Sequence, residues 1–311
     1  MATKARSRLA DWAGYVALRI VGCVVLALPP DLARWFAEVM ADAVFRFGRR
    51  YREVTVENLR QAFPEITDVQ DRLTLARETY RHFTVMFLEM ALLRRKITRS
   101  NWQKYVDLSA MAPINAIIAE GRPVILMTAH FGNWELAAHT VGLSGIRSLI
   151  VARAIDNPHI DLVIRQNREL TGHKILAKNG EVRKMLSQLK ARGTLCLLGD
   201  QDAGRIGFFV DFFGRPASTL KAIAHLAQRT DAVIAVLGAE RTGAMLEYTM
   251  HVMDIIEPGE YAGQADGDLK ITQRFTKAIE NLVRKAPGQY FWLHRRWKHQ
   301  VPETMLAKKA A

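Results

Sequence analysis

The spacing of apolar residues divides the chain into a helical first part and an alternating remainder. Between residues 49 and 96, apolar side chains recur at intervals of three and four, which predicts helices, and Pro64 separates two of them. From Pro123 the pattern changes to short apolar runs that alternate with amphipathic segments. The runs 124–128 and 194–198 have the length and composition of buried parallel strands. This pattern predicts an α/β fold with a central mixed, largely parallel sheet flanked by helices.

The same periodicities place the remaining elements. Helices are predicted at 158–171, 181–191, 218–229 and 269–286, and strands at 147–152, 232–239 and 245–253. In open sheets of this kind, ligands bind beyond the carboxyl ends of the strands. The residues that follow the two apolar runs are therefore the first place to search for chemistry.

The first 48 residues have a pattern of their own. Three basic residues precede an apolar run at 13–28, which contains Arg19 and is ended by two prolines. The run is shorter than the about 20 residues that cross a bilayer, and an arginine at the bilayer centre costs about 2.5 to 3.5 kcal/mol. Two interpretations stay open on the pattern: a helix of the core, or an interfacial or tilted membrane helix, which basic and aromatic side chains favour. We divide the chain into an N-terminal segment, 1–48, and a folded domain, 49–311.

Composition is that of a folded protein, but the charge is unusual. The chain is 49% hydrophobic and 24% charged, and 44 Lys and Arg residues against 31 Asp and Glu residues leave a net charge of +13. Such a balance favours a polyanionic partner, either nucleic acid, anionic lipid or an acidic carrier protein. Because the sequence contains no recognisable nucleic-acid-binding module, we expect no nucleic acid and favour anionic lipid or an acidic carrier. Basic runs such as 294–298 are interpreted as solvated surface.

The strongest candidate chemistry follows the run 124–128. His130 comes directly after it, and Glu135 stands five positions later, where a helix is expected to begin. A strand end and the next helical turn can converge, so the carboxylate could hold the imidazole in the tautomer that accepts a proton. The alternative is structural, with His130 capping a strand and Glu135 favouring the helix N-terminus. Gly132 between them supports a sharp turn at this point.

The run 194–198 leads into a second polar cluster, Asp200-Gln201-Asp202, and then into the phenylalanine-rich stretch 208–213. The phenylalanines fit either core packing or an apolar wall for a lipid chain. The spacing typical of zinc enzymes is absent, as are a serine-hydrolase elbow and a phosphate-binding glycine loop, so we expect neither a metal nor a cofactor.

The segment His130-Phe-Gly-Asn-Trp-Glu135 resembles the His-x4-Asp/Glu signature of the lysophospholipid acyltransferase superfamily. It has the form used by the lipid A biosynthesis late acyltransferases, the lauroyl and myristoyl transferases. Further landmarks occur between about residues 49 and 298 in the order that family shows. They are Asn58-Leu59, Ala62-Phe63-Pro64, Arg153, Arg168 ahead of Gly172, Asp200-Gln201-Asp202, Phe212-Phe213-Gly214 with Pro216-Ala217, and Arg295-Arg296-Trp297.

The resemblance implies an enzyme of the inner (cytoplasmic) membrane whose active site faces the cytoplasm. Such an enzyme moves a fatty acyl chain from an acyl carrier protein thioester, or from acyl-CoA, to a hydroxyl of a glycolipid, with a lipid A precursor as the leading acceptor. The resemblance also favours membrane association for segment 1–48, with an anionic membrane surface as a partner.

Within that family, each candidate residue receives a role. His130 would be the general base, and Glu135 would orient the imidazole and stabilise its positive charge. Arg153 would bind an acceptor phosphate or steady the oxyanion, and Asp200 and Gln201 would position the sugar or the pantetheine arm. Two alternatives remain: an acyltransferase of the same superfamily with another phospholipid or glycolipid acceptor, and a non-catalytic lipid-binding protein.

Overall fold

A seven-stranded sheet forms the centre of the molecule. The computed structural model describes residues 7–177 and 182–301. The strands are β1 (Val106–Asp107), β2 (Val124–Thr128), β3 (Ser148–Ala152), β4 (Lys174–Ala177), β5 (Thr194–Leu198), β6 (Phe208–Phe212), β7 (Arg215–Thr219), β8 (Val233–Arg241) and β9 (Tyr248–Ile256). The helices are α1 (Arg8–Ala27), α2 (Pro30–Phe47), α3 (Arg49–Ala62), α4 (Val69–Lys96), α5 (Ala112–Ala119), α6 (Trp134–Leu143), α7 (Pro158–Glu169), α8 (Val182–Lys190), α9 (Ala222–Thr230) and α10 (Gly267–Lys285).

The topology confirms the predicted mixed, largely parallel α/β sheet. The strand order is β1-β9-β8-β2-β5-β3-β4, and the five strands from β8 to β4 run parallel to one another. Strand β9 is antiparallel to β8, and β1 is parallel to β9. Strands β6 and β7 form a separate two-stranded hairpin. The carboxyl ends of the parallel strands therefore share one edge of the sheet.

Alternate residues of the central strands face opposite layers of helices. Ile125 and Met127 of β2 lie in a core cluster that includes residues of α9 and α10, whereas Val124 and Leu126 lie in a second cluster with residues of α6. All four side chains are fully or almost fully buried. Because both faces of β2 are covered, its sequence shows a continuous apolar run rather than an alternation.

Several local predictions differ from the structure. Strands β1 and β4 and the hairpin β6–β7 were not expected, and residues 218 and 219, placed in a helix by the periodicity, belong to β7. The hairpin turns through Phe213 and Gly214, which have φ angles of 56° and 73°. A two-residue turn with two positive φ angles matches the twist of antiparallel strands, and Gly214 was its only sequence signal. The predicted start of α8 at Glu181 lies outside the described residues.

Helix α2 buries its small residues and exposes most of its large apolar ones. Its alanines at positions 33, 37 and 41 are buried against α4, while Arg77 and Arg81 of α4 bind the Asp42 carboxylate and hold its pKa well below the usual range. Most of the large apolar side chains of α2 point outward instead. Exposed on it are Leu32, Trp35, Phe36, Val39, Met40, Val44 and Phe47.

Helix α2 is thus attached to α4 largely through small residues and ion pairs. The division of the chain at residue 48 stays a prediction. In the described part of the chain, no helix has both the length and the apolarity that crossing a membrane requires.

Candidate active site

The carboxyl ends of β2 and β5 meet at the middle of the sheet. Parallel pairing places Thr128 of β2 opposite Leu198 of β5. Counting two residues beyond this pair reaches His130 on one strand and Asp200 on the other. The shared register therefore brings the two side chains together, although 70 residues separate them in the sequence.

Asp200 binds both the ring and the backbone of His130. The ring Nδ1–H donates to Oδ1 of Asp200 at 2.8 Å, and the backbone N–H of His130 donates to Oδ2 at 3.0 Å. Because an ionised carboxylate can only accept, Nδ1 carries the ring proton and Nε2 keeps its lone pair. The side-chain amide of Gln201 approaches that Nε2 at 3.4 Å and can donate to it. The imidazole is held in the tautomer that a general base requires.

The Asp200 carboxylate is buried yet ionised. Burial alone would raise its pKa, but the charge of His130 and the hydrogen bonds from its ring and backbone lower the pKa to about 2. At neutral pH the site thus holds a fixed negative charge beside Nδ1. Such a charge stabilises an imidazolium when the ring accepts a proton.

Residues 289–291 hold the backbone of the histidine loop, which we define as residues 130–133. Phe131 forms an antiparallel bridge with Tyr290. The backbone N–H of Phe291 donates to the carbonyl oxygen of His130 at 2.9 Å, and the N–H of Gly132 donates to that of Gln289 at 2.8 Å. The backbone on both sides of Phe131 is therefore fixed by hydrogen bonds.

Aromatic rings surround the imidazole. The indole of Trp134 meets the His130 ring edge to face, with 5.0 Å between centroids, and the Phe291 ring lies at 6.1 Å. Phe83 of α4 packs against both Trp134 and Phe291, at 5.9 and 5.1 Å. The His130 side chain keeps 23% of its surface exposed. The base thus has an opening to a ligand while most of its surroundings exclude water, which strengthens electrostatic interactions in the site.

Glu135 lies close to the histidine loop, but its partner is Arg168 of α7. The guanidinium donates through Nε at 2.9 Å and through Nη2 at 2.6 Å, one bond to each carboxylate oxygen. The indole N–H of Trp134 donates to the same carboxylate at 3.1 Å. The sequence predicts that Glu135 orients the imidazole, whereas in the structure the carboxylate in contact with His130 is that of Asp200. Glu135 reaches the imidazole only through Trp134.

The remaining predicted site residues lie at the same edge of the sheet. Arg153 follows β3 directly, one strand away from Asp200, and its side chain is 79% exposed and donates to Asp156 at 3.2 Å. Gln201 adjoins His130, as described above. Sequence reasoning assigned Asp200 and Gln201 to the substrate, and the structure places both against the imidazole. Counting residues from the two strand ends was the signal that could have paired Asp200 with His130.

The phenylalanine stretch, whose role the sequence left open, contributes to the core, and the interpretation of Arg296 as solvated surface is wrong. Phe212 and Phe213 are buried in the main core, where their rings pack edge to face at 4.8 Å. Arg296, interpreted as part of a solvated basic run, is 2% exposed and donates to Ser218 O and Thr219 Oγ1. Its guanidinium lies over the Phe212 ring, 5.2 Å from the centroid. This arginine ties the C-terminal segment to strand β7.

Cys196 is not a candidate nucleophile. Burial within β5 raises the pKa of its thiol to about 12, so the thiol stays protonated at neutral pH. Within residues 7–177 and 182–301, no three His, Cys, Asp or Glu side chains are grouped as a metal site would need.

Comparison with known proteins covers almost the whole chain. The family model described as bacterial lipid A biosynthesis acyltransferase matches residues 2–299. The lipid A biosynthesis lauroyltransferase of Escherichia coli (strain K12) is 25% identical over 293 residues, which cover 92% of this chain and 92% of that protein. The lipid A biosynthesis myristoyltransferase of the same strain is 24% identical over 298 residues, 94% and 88% of the two chains. Its lipid A biosynthesis palmitoleoyltransferase is 23% identical over 258 residues, 81% and 80%.

Proposed function

This chain belongs to the bacterial lipid A biosynthesis acyltransferase family, and we propose that it transfers a fatty acyl chain from an acyl carrier protein thioester, or from acyl-CoA, to a hydroxyl of a lipid A precursor. The relatives are named for different acyl groups but for the same biosynthesis, which supports a common acceptor class. The observation that carries the chemistry is the His130–Asp200 pair, with Nε2 unprotonated at the carboxyl edge of the sheet.

In the proposed mechanism, Nε2 of His130 removes the proton of the acceptor hydroxyl as its oxygen attacks the thioester carbonyl. The new C–O bond forms, the C–S bond breaks, and the proton passes to the departing thiolate. Asp200 holds the tautomer throughout and stabilises the imidazolium that exists between the two proton transfers. Before the substrate binds, the amide of Gln201 can donate to Nε2 of His130, and the acceptor hydroxyl then takes the place of this amide.

We assign Glu135 a supporting position rather than a direct contact with the base. Its carboxylate binds Arg168 and the Trp134 indole, and that indole packs on the His130 ring. The Glu135–Arg168 pair is largely buried, with 10% and 19% of the side chains exposed. Removing one member of such a pair leaves an uncompensated buried charge, so the position of Trp134 depends on both.

Arg153 is our candidate for the acceptor phosphate. Its ion pair with Asp156 is exposed on both sides, and exposed pairs contribute little, so a phosphate could displace the carboxylate. A guanidinium also binds phosphate oxygens in pairs, which favours arginine at such a place.

The outward-facing apolar surface of α1 and α2 supports attachment to an anionic membrane. These two helices carry more than half of the large apolar side chains exposed in the described residues. Monomeric soluble proteins rarely expose large apolar patches, which commonly mark sites of interaction with proteins or membranes. Arg8 and Arg19 on α1 and Arg46 on α2 are exposed and supply charge for anionic headgroups, whereas Arg34 is paired with Glu38. We place this surface on the cytoplasmic face of the inner membrane.

The proposal is tested by transfer of radiolabelled acyl groups. Purified protein is incubated with acyl carrier protein thioester or acyl-CoA and with a lipid A precursor, and the acylated lipid is separated. We expect His130→Ala to lose about 10²- to 10⁴-fold in rate while the protein keeps its melting temperature, because a general base contributes about that much. Lipid binding without turnover in the wild-type protein would indicate a non-catalytic lipid-binding protein instead.

A further inference from the structure

A buried charged cluster lies beneath the histidine loop, outside the site described above. Its centre is Glu89 of α4, whose side chain is fully buried. Five donors reach this carboxylate: Arg241 Nε at 3.2 Å, Arg241 Nη2 at 2.9 Å, Asn133 Nδ2 at 2.9 Å, the backbone N–H of Leu246 at 2.9 Å and the Tyr248 hydroxyl at 2.7 Å. Every lone pair of Glu89 is therefore engaged.

Arg241 extends the cluster to His82. Its Nη1 donates to Nδ1 of His82 at 2.8 Å, and since arginine has no acceptor, this Nδ1 must be unprotonated. The proton is then on Nε2, which donates to the carbonyl oxygen of Gly132 at 3.0 Å. Burial, followed by the charge of Arg241, lowers the pKa of His82 to about 3, so the ring stays neutral. The chain of contacts Glu89–Arg241–His82 has a fixed direction of hydrogen bonding.

Both ends of this chain act on the histidine loop. His82 holds the carbonyl of Gly132, whose φ of 56° and close approach to the Ala239 carbonyl leave no space for a side chain. Glu89 holds the amide of Asn133, and the Oδ1 of that residue caps α6 by accepting from the N–H of Leu136 at 2.9 Å. The two residues that connect His130 and Phe131 to α6 are thus oriented by one buried network.

The geometry points to His82, Glu89 and Arg241 as positioning residues of the proposed reaction, which act through Gly132 and Asn133 to hold His130 against Asp200. Stability alone is a weak reason for such a cluster, because well-packed apolar residues commonly replace buried ion pairs without loss of stability. Directional bonds to the loop give it a function that apolar residues cannot supply, and displacements of about 1 Å at a catalytic group can cost about 10²-fold in rate. This inference rests on the proposed role of His130.

The test compares two buried histidines with the same bonding. His82→Leu removes the donor to Gly132. The matched control, His173→Leu, removes a ring that likewise donates Nε2 to a carbonyl, that of Ala138 at 2.8 Å, and accepts at Nδ1 from Ser148. His173 directly precedes β4, so it lies at the amino end of this parallel strand, whereas the site lies beyond the carboxyl ends of β2 and β5. Both variants should lower the melting temperature by similar amounts.

We expect His82→Leu to lower kcat by about 10- to 10²-fold, with KM for donor and acceptor changed by less than about threefold. His82→Gln, whose amide can donate to Gly132 and accept from Arg241, should recover most of the rate. His173→Leu should keep kcat within about threefold. If His82→Leu does not fold, Arg241→Lys serves in its place, because the single ammonium of a lysine cannot reproduce the three nitrogens through which Arg241 binds Glu89 and His82, and it should reduce kcat in the same way.

A spectroscopic measurement keeps the inference separate from the proposed function. The Nδ1–H proton of His130, identified by its absence in His130→Ala, should shift or broaden in the NMR spectrum of His82→Leu and stay unchanged in His173→Leu. An unchanged His130 signal together with an unchanged kcat in His82→Leu would overturn the inference. Equal loss of rate in both leucine variants would do the same, since it would reduce the effect to stability. If the wild-type protein transfers no acyl group, the proposed function fails, and the NMR comparison alone decides the inference.

Discussion

Replacing Asp200 with Asn should slow acyl transfer by about 10²- to 10⁴-fold while leaving the shape of the site nearly unchanged. The carboxylate accepts from two donors of His130, the ring Nδ1–H and the backbone N–H. An asparagine amide offers one oxygen and one NH₂ group, so in either orientation an N–H would face a donor. The ring relieves that clash by moving its proton to Nε2. The nitrogen that must act as a base is then protonated.

Charge adds to the effect of the tautomer. The charge of His130 and its hydrogen bonds, which lower the pKa of Asp200, are the interactions of the ion pair that forms during the proposed transfer. The fall in the pKa of Asp200 from 3.8 to about 2 corresponds to about 2 kcal/mol in favour of the carboxylate, after the opposing effect of burial. Loss of that amount in the transition state is about a 30-fold decrease in rate. The reversed tautomer accounts for the remaining loss.

The assay is acyl transfer under saturating donor and acceptor, with Asp268→Asn as the control. Asp268 also accepts from a histidine Nδ1, that of His225 at 2.9 Å, but this pair lies on the surface. Only Asp200→Asn should lose activity. Its free energy of unfolding should also depend less on pH: in the wild type, a carboxylate with a lowered pKa stabilises the fold above about pH 4, and this contribution is lost as the pH falls through about 2. A variant with the wild-type kcat would refute the proposed role of Asp200.

Three further variants test the remaining assignments. Glu135→Gln should lower kcat by less than His130→Ala does, because Glu135 acts through Trp134; a loss as large as that of His130→Ala would instead indicate a direct role. Arg153→Lys should raise KM for the phosphorylated acceptor about tenfold and leave slow hydrolysis of the thioester by water nearly unchanged, so equal losses in both reactions would place Arg153 at the oxyanion. Trp35→Ser combined with Phe36→Ser should weaken flotation with anionic vesicles about 10-fold or more, since burial of each exposed ring in the membrane contributes about 1 kcal/mol to binding. Leu269→Ser on α10 is the control. Unchanged flotation of the double variant would exclude this surface as the attachment site.

The sheet could be predicted from the sequence because its central strands are covered on both faces. Strands β2 and β5 have the bounds expected from their apolar runs, and His130 and Asp200 stand directly beyond them. Strands β4 and β7 lack such a run, since they lie at an edge or outside the main sheet, and the phenylalanines of β6 fitted core packing as well as a strand. Strand β4 forms by pairing with β3, a contact that local periodicity does not report, and the hairpin depends on the turn at Phe213 and Gly214.

The partner of His130 shows why a motif identifies a site before it identifies contacts. Glu135 is near His130 along the chain, yet α6 begins at Trp134 and its first turn directs the carboxylate toward Arg168. Asp200 is distant along the chain, yet strand pairing places it at hydrogen-bonding distance. Contacts across a parallel sheet follow from register, which requires knowing that β2 and β5 are neighbours although β3 and β4 lie between them in sequence. Given that one fact of topology, equal counts from Thr128 and Leu198 predict the pair, so the information absent from the sequence pattern was the strand order rather than the chemistry of the residues.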